Sequence, residues 1–377
     1  MLELILSIGI VIITIQGQGI LFNKIINNTK SNYKNFNETF LLGIIFLSFN
    51  VLFINFFIPI NKLIGSIFLL ISSGIFFSHF YLSNLKKKYL KIITILIIIT
   101  FLLVAFSTVN RPDAGLYHLP YISIINENKI IFGIANLHSR FAHISIIQYT
   151  SSIFNNLALP KEIITIPLAL IFSSAIIFIY QNLQDTLIKK KTDQSIILFF
   201  FIIFSIYSYN RYSAYGNDVP AHLFFQIFFI YIIFQEKNDV NFLGKIILIA
   251  SFLFMIKPFM IILFPIIGFF FFKTEKKLYI LLDRKIIFSL VFVFLWIVKN
   301  IIVSGCAIYP ISKTCIGNIQ YFDAKKTKIE SISGEAWSKD WNNYKEKKYN
   351  IDEYNKKFRW LSTWSQTHFK IIIEKFG

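Results

Sequence analysis

Charge is scarce in this 377-residue chain: 15% of its residues are Asp, Glu, Lys or Arg, where a soluble protein carries about 25%. Acids are scarcest, with 20 Asp and Glu against 38 Lys and Arg. Together with 55% apolar residues and a mean hydropathy of +0.61, this excludes a soluble globular enzyme and a disordered chain. Cysteine occurs only twice and without metal-ligand spacing. No GxxxxGK[ST] phosphate loop, GxGxxG dinucleotide turn, HExxH zinc helix or GxSxG nucleophile elbow is present, so those catalytic classes fall away. The start, Met1-Leu2-Glu3, has no basic stretch and no small-residue cleavage site follows. The first apolar block is therefore expected to stay as a membrane span.

What the chain does have is apolar blocks. A span takes about 20 mostly apolar residues, and such blocks lie near 2–22, 39–60, 63–83, 90–108, 162–181, 195–209, 221–235 and 286–302. This predicts an all-α polytopic membrane protein. The block 243–272 is long for one helix, and Lys257-Pro258 interrupts it near the middle. Read as two short spans, 243–256 and 258–272, it leaves 17 Lys and Arg on one side of the membrane, in 23–38, 84–91, 183–194, 235–245 and 273–285. The short segments on the other side hold seven: Lys62, Arg111, Lys129, Arg140, Lys161, Arg211 and Lys257. Because positive charge marks the inner side, the hairpin predicts about ten spans with the N-terminus outside. The net charge of +18 is then a topology signal, and nucleic acid is not a partner. The expected division is a membrane domain over 1–303 and an outer tail over 304–377.

The outer segments hold most of the Asp, His, Arg and Trp. The first reads Asn110-Arg111-Pro112-Asp113-Ala114-Gly115-Leu116-Tyr117-His118. Pro112 and Gly115 are expected to break the helix, leaving Asp113 on the backbone near the membrane surface. An acid there is functional by default, although a plain solvated carboxylate or helix cap competes. Next comes Gly133-Ile134-Ala135-Asn136-Leu137-His138-Ser139-Arg140 with His143, which either caps a short interfacial helix or offers Arg140 to a phosphate. Asp218, before Pro220, is a helix cap or a site acid. Lys257 is a snorkelling lysine at a proline kink or a cation facing a lipid phosphate. Cys306 and Cys315 form a disulfide or stay as free thiols. Trp337/Trp341 and Trp360/Trp364 are each spaced to share one helical face, at the membrane interface or stacked on a sugar. The apolar run Phe369–Ile373 begins either an interfacial helix or a longer segment cut short.

Taken together, Pro112-Asp113 through Tyr117-His118, Lys257 at an outer turn, and Trp296 to Asn300 running into Ser304-Gly305 and Tyr309-Pro310 resemble the GT-C superfamily of membrane glycosyltransferases. That group contains the dolichyl-phosphate-mannose and aminoarabinose transferases. The resemblance covers most of the chain and is nearer still to bacterial membrane proteins whose outer loop reads Asp-x-x-x-Tyr-His and then Gly-x-Ala-Asn-Leu-His-x-Arg. It implies transfer of a sugar from a polyprenyl-phosphate donor to a glycan, lipid or protein acceptor, in contact with membrane lipids, on the outer face of a bacterial inner membrane. Asp113 would be the catalytic base, and Tyr117, His118, Arg140, Asp218 and Lys257 would bind substrate, with Lys257 and Arg111 on the phosphate. It implies no firm cofactor. A divalent metal bridging Asp113, Asp218 or a His is an open option, and no residue is assigned as a metal ligand. The family usually carries a second acid in the first loop, and here Ala114 follows Asp113. Glu127 and Asp218 are the remaining candidates. Two rival classes stay open: a transporter or lipid flippase, which places charge and broken helices near the midplane, and a non-catalytic protein sharing the fold.

Overall fold

The computed structural model describes residues 1–26, 35–106, 112–159, 164–207, 216, 218–235, 238–274, 277–280, 282–346 and 348–376. Among them every regular element is a helix or helical turn. The chain forms two compact units, Met1–Ile130 with Ile144–Trp296, and Ile131–His143 with Ile297–Gly377.

The first unit contains α1 (Leu2–Ile26), α2 (Phe36–Asn55), α3 (Lys62–Leu82), α4 (Lys86–Ala105), α5 (Leu119–Glu127), α6 (Ile146–Ser152), α7 (Ile166–Ile188) and α8 (Thr192–Tyr207). It continues through α9 (Asp218–Ile233), α10 (Val240–Ile256), α11 (Phe264–Lys273), α12 (Lys277–Ile280) and the start of α13 (Arg284–Ser304). Six of these, α1 to α4, α7 and α13, are long and apolar enough to cross a membrane, and Thr192–Tyr207, Asp218–Ile233, Val240–Ile256 and Pro258–Lys273 are shorter apolar stretches. This is a membrane protein. Residues Leu63, Leu70, Phe77, Ile98, Phe199 and Phe200 stand exposed on α3, α4 and α8, a surface that suits hydrocarbon and not water.

Helix α1 lies against α2 and α3 so closely that only glycine fits. A Cβ on Gly17, Gly19 or Gly43 would overlap the backbone carbonyls of Ser72, Thr39 and Ile15 respectively. Small residues at helix crossings are what lipid-embedded packing selects. Polar bonds add to the grip: Gln18 Nε2 donates to Ser72 Oγ at 2.7 Å, and Asn50 Nδ2 to Gln18 Oε1 at 3.1 Å.

The segment around Lys257-Pro258 is a hairpin. Helix α10 ends at Ile256, Lys257 is extended, and a 3₁₀ turn Pro258–Leu263 leads into α11. Its two arms pair end to end, with Phe242 edge-on to Phe270 at 5.3 Å and Asn238 Nδ2 donating to the Phe270 carbonyl at 3.1 Å.

Two expectations fail. Gly115 does not break a helix: residues 112–127 are helical throughout, as a short first turn opened by Pro112, a π-helical turn Ala114–His118 and α5, while α4 before them ends at Ala105. Proline suits a first helical turn, where its missing N–H has no partner to lose, and the wide π turn absorbs the following residues. Nor do Trp337 and Trp341 share a helical face. The helix Ala324–Ser338 ends between them, and Asp340 takes a left-handed conformation at φ 67°.

In the second unit Gly133 (φ +65°) and Gly305 (φ +80°) occupy left-handed positions where a Cβ would press on Tyr321 and Phe322. The Gly133 N–H bonds the Ile302 carbonyl at 2.9 Å, and Asn136 Nδ2 donates to the Tyr321 carbonyl at 2.7 Å. Cys306 and Cys315 are joined by a disulfide. Further on, Trp341, Tyr344 and Tyr354 pack ring on ring, and the Tyr354 hydroxyl donates to the Lys339 carbonyl.

Candidate functional site

The helical segment 112–127, which carries Asp113 in its first turn, is fixed at both ends of its buried face. At the far end the Ile60 N–H bonds the Ile125 carbonyl (2.9 Å), while Asn126 Nδ2 donates to the carbonyls of Ile60 (2.7 Å) and Ser152 (2.8 Å). At the near end His118, 4% exposed, meets Gln148 of α6, with Nε2 of the amide 2.6 Å from ring Nδ1. Helix α6 in turn is tied to α2 through Ser48 and Thr150, 2.5 Å apart. Tyr117 is half-buried, its ring 4.3 Å from that of His118. Asp113 itself is exposed. The result is a carboxylate presented to solvent on a backbone held by buried polar contacts.

Burial pushes the His118 ring down to about 4, and the nearby Asp113 carboxylate only partly offsets this. The ring is therefore neutral at pH 7, and the Gln148 amide donates to its Nδ1. An imidazole that is harder to protonate folded than unfolded stabilises the fold fully above about pH 6.5 and loses that contribution as the pH falls toward 4. The expected loss is about 3 kcal/mol over that window. Thermal midpoints of the purified protein and of His118→Gln between pH 7 and pH 4 check this, since the variant should show a shallower decline. Equal slopes would mean that His118 does not carry the dependence.

Asp218 and Lys257 are brought together. Asp218 is the first residue of α9, Lys257 sits at the tip of the α10–α11 hairpin, and Lys257 Nζ donates to Asp218 Oδ1 in an ion pair. Both side chains keep part of their surface exposed, and the lysine also lies 5.9 Å from the Phe259 ring.

Glu127 is not brought to Asp113. It ends the same helical segment 14 residues on, about 20 Å away at 1.5 Å per residue. It instead lines a cavity of about 510 Å³ with Asn61, Lys62, Ser123 and Thr165. Arg111 lies outside the described residues. Among the described residues no three His, Cys, Asp or Glu side chains converge as metal ligands do.

Arg140 belongs to the second unit, on the 3₁₀ turn Ser139–His143, and is exposed. Its N–H bonds Nδ1 of His138 at 3.1 Å. His143, partly open to solvent, packs edge-on against Tyr309 at 5.3 Å. Desolvation, then the charges of Arg140 and Lys299, hold its ring below the ordinary imidazole range. Lys299 is the residue that sequence reading missed. It is 0% exposed near the end of α13, hidden inside the run 286–302 that reads as a plain span. The available signal was a lone cation in an apolar run, which is costly and so functionally suspect. Trp296 and Asn300 hold structure: Trp296 packs on Tyr149 at 6.2 Å, and Asn300 Nδ2 donates to the Ala307 carbonyl at 2.9 Å.

Over residues 1–376 the chain matches the family described as Domain of unknown function (DUF8201), and it belongs to that family. No curated protein and no solved structure matches it.

Proposed function

We propose that this chain is a membrane glycosyltransferase of the GT-C type, with ten spans, its N-terminus outside, in the inner membrane of a bacterial cell. It transfers a sugar from a polyprenyl-phosphate donor to an acceptor hydroxyl at the outer face. One observation carries the reading: Asp113 is an exposed carboxylate, following an apolar span, on a helix fixed by His118–Gln148 and Asn126. In a ten-span arrangement Asp113, Asp218 and Lys257 share the outer end.

Asp113 takes the proton of the acceptor hydroxyl as the acceptor oxygen bonds to the anomeric carbon. The bond from that carbon to the phosphate oxygen breaks, and its electron pair leaves with the polyprenyl phosphate. Lys257, oriented by Asp218, stabilises the charge gathering on that phosphate. Arg111 and Arg140 are the further cations of this reading, and the acceptor is a glycan, lipid or protein hydroxyl. A transporter is the second reading, favoured by the buried Lys299 and the broken helix at Pro258.

Membranes bearing the chain are expected to move label from a polyprenyl-phosphate sugar into an acceptor fraction, where membranes without it do not. In intact cells an impermeant thiol reagent should reach Cys306 and Cys315 only after reduction. Labelling that requires opened cells would overturn the outer-face assignment and put the transporter ahead.

A further inference from the structure

The α7–α8 turn carries a second, open cavity of about 590 Å³, lined by Leu183, Leu187, Lys190, Lys191, Thr192, Ser195, Ile196 and Phe199. Its lining is of two chemical kinds. Part is apolar, and Leu187, Ile196 and Phe199 are all exposed. The rest is two lysines, Thr192 and Ser195, whose hydroxyl is already bonded to Thr186 Oγ1 at 2.9 Å. The acids nearest in sequence, Asp185 and Asp193, do not line the cavity.

The backbone holds the lysines in place. Lys190 takes a left-handed conformation (φ 55°), and the turn is closed by the Lys190 N–H on the Leu187 carbonyl (3.1 Å) and the Lys191 N–H on the Thr186 carbonyl (2.9 Å). That conformation favours glycine on steric grounds, yet a lysine occupies it.

We propose that this cavity is a binding site for one anionic phospholipid, the phosphate held by Lys190, Lys191 and Thr192 and an acyl chain lying along Leu187, Ile196 and Phe199. Paired cations beside an apolar wall where α7 and α8 join match that ligand at both of its ends. A soluble phosphate would use the cations and leave the apolar wall idle. The site is independent of the proposed transfer chemistry.

The test uses the full chain in nanodiscs of phosphatidylcholine, with retention of added phosphatidylglycerol read by native mass spectrometry. Wild-type protein is expected to retain phosphatidylglycerol over phosphatidylcholine, and Lys190→Gln/Lys191→Gln to lose about fivefold per lysine removed. Lys190→Gly keeps the turn and should show the single-lysine loss. The control, Lys87→Gln/Lys88→Gln, removes the same charge from an exposed run at the start of α4 and should leave retention unchanged. Equal retention of the two lipids, or an equal loss in the control, overturns the proposal. Displacement of the lipid by excess glycerol 3-phosphate would do so too, by marking a free-phosphate site.

Discussion

Asp113→Asn should lower sugar transfer by between about a hundredfold and ten-thousandfold, the range that a positioned general base supplies. The substitution removes the proton acceptor while keeping the shape of the side chain. Asp113 is exposed and makes no capping bond to the turn it precedes, so the fold has little to lose. The variant should insert and unfold like the parent, which separates chemistry from stability. Asp113→Glu returns a carboxylate displaced by one methylene and should recover part of the rate. If Asp113→Asn retains parental transfer, the base assignment is wrong. If no transfer is found with either protein but a solute crosses the membrane, the chain belongs with transporters.

The second large effect is expected at the Asp218–Lys257 pair. With the Lys257 side chain 30% and the Asp218 side chain 46% exposed, the pair contributes little to stability, on the order of 0–1 kcal/mol. If it were only a tie between α9 and the hairpin tip, then Lys257→Gln and Asp218→Asn would be nearly silent, and the exchanged pair Asp218→Lys/Lys257→Asp would be silent as well. If Lys257 meets the leaving phosphate, Lys257→Gln should reduce transfer by about a hundredfold, the order seen when one transition-state charge partner is lost. Asp218→Asn should act more mildly, because the lysine loses its positioning partner and keeps its charge. Transfer by the exchanged pair decides the matter: recovery to parental rate would reduce Lys257 to a structural role, whereas continued loss with an unchanged melting curve would support the phosphate contact.

The apolar helices were legible because hydropathy is a local property; each expected block contains one, displaced by a few residues at its ends, and six of them are long enough to cross a membrane. The hairpin at Lys257 was legible from charge arithmetic, since one long helix would have set five Lys and Arg of 273–285 against the expected distribution of positive charge. Individual contacts were not. The pairing of His118 with Gln148 spans 30 positions, and nothing in either residue's neighbourhood announces it. The unbroken helix across Gly115 was hidden because propensity alone favours a break there, while the bonds holding that helix to α2 and α6 are long-range. Lys299 was hidden by its apolar neighbours, and the break between Trp337 and Trp341 by an i,i+4 spacing that a helix end makes irrelevant. Of the candidate site, the sequence supplied the residue types and their place between the apolar blocks. It did not supply the Asp218–Lys257 pairing or the separation of Glu127 from Asp113.

The close seating of α1 also bears on how the protein is made. Helix α1 is synthesised ahead of α2 and α3, and it carries Gln16, Gln18 and Asn23 on its buried surface. Partners for Gln18 and Asn23, namely Ser72, Asn50 and Thr39, are synthesised later. Until they arrive, α1 presents bare amides to hydrocarbon. The nascent chain therefore has reason to keep α1 beside the insertion machinery, or another polar escort, and to release the first three helices together.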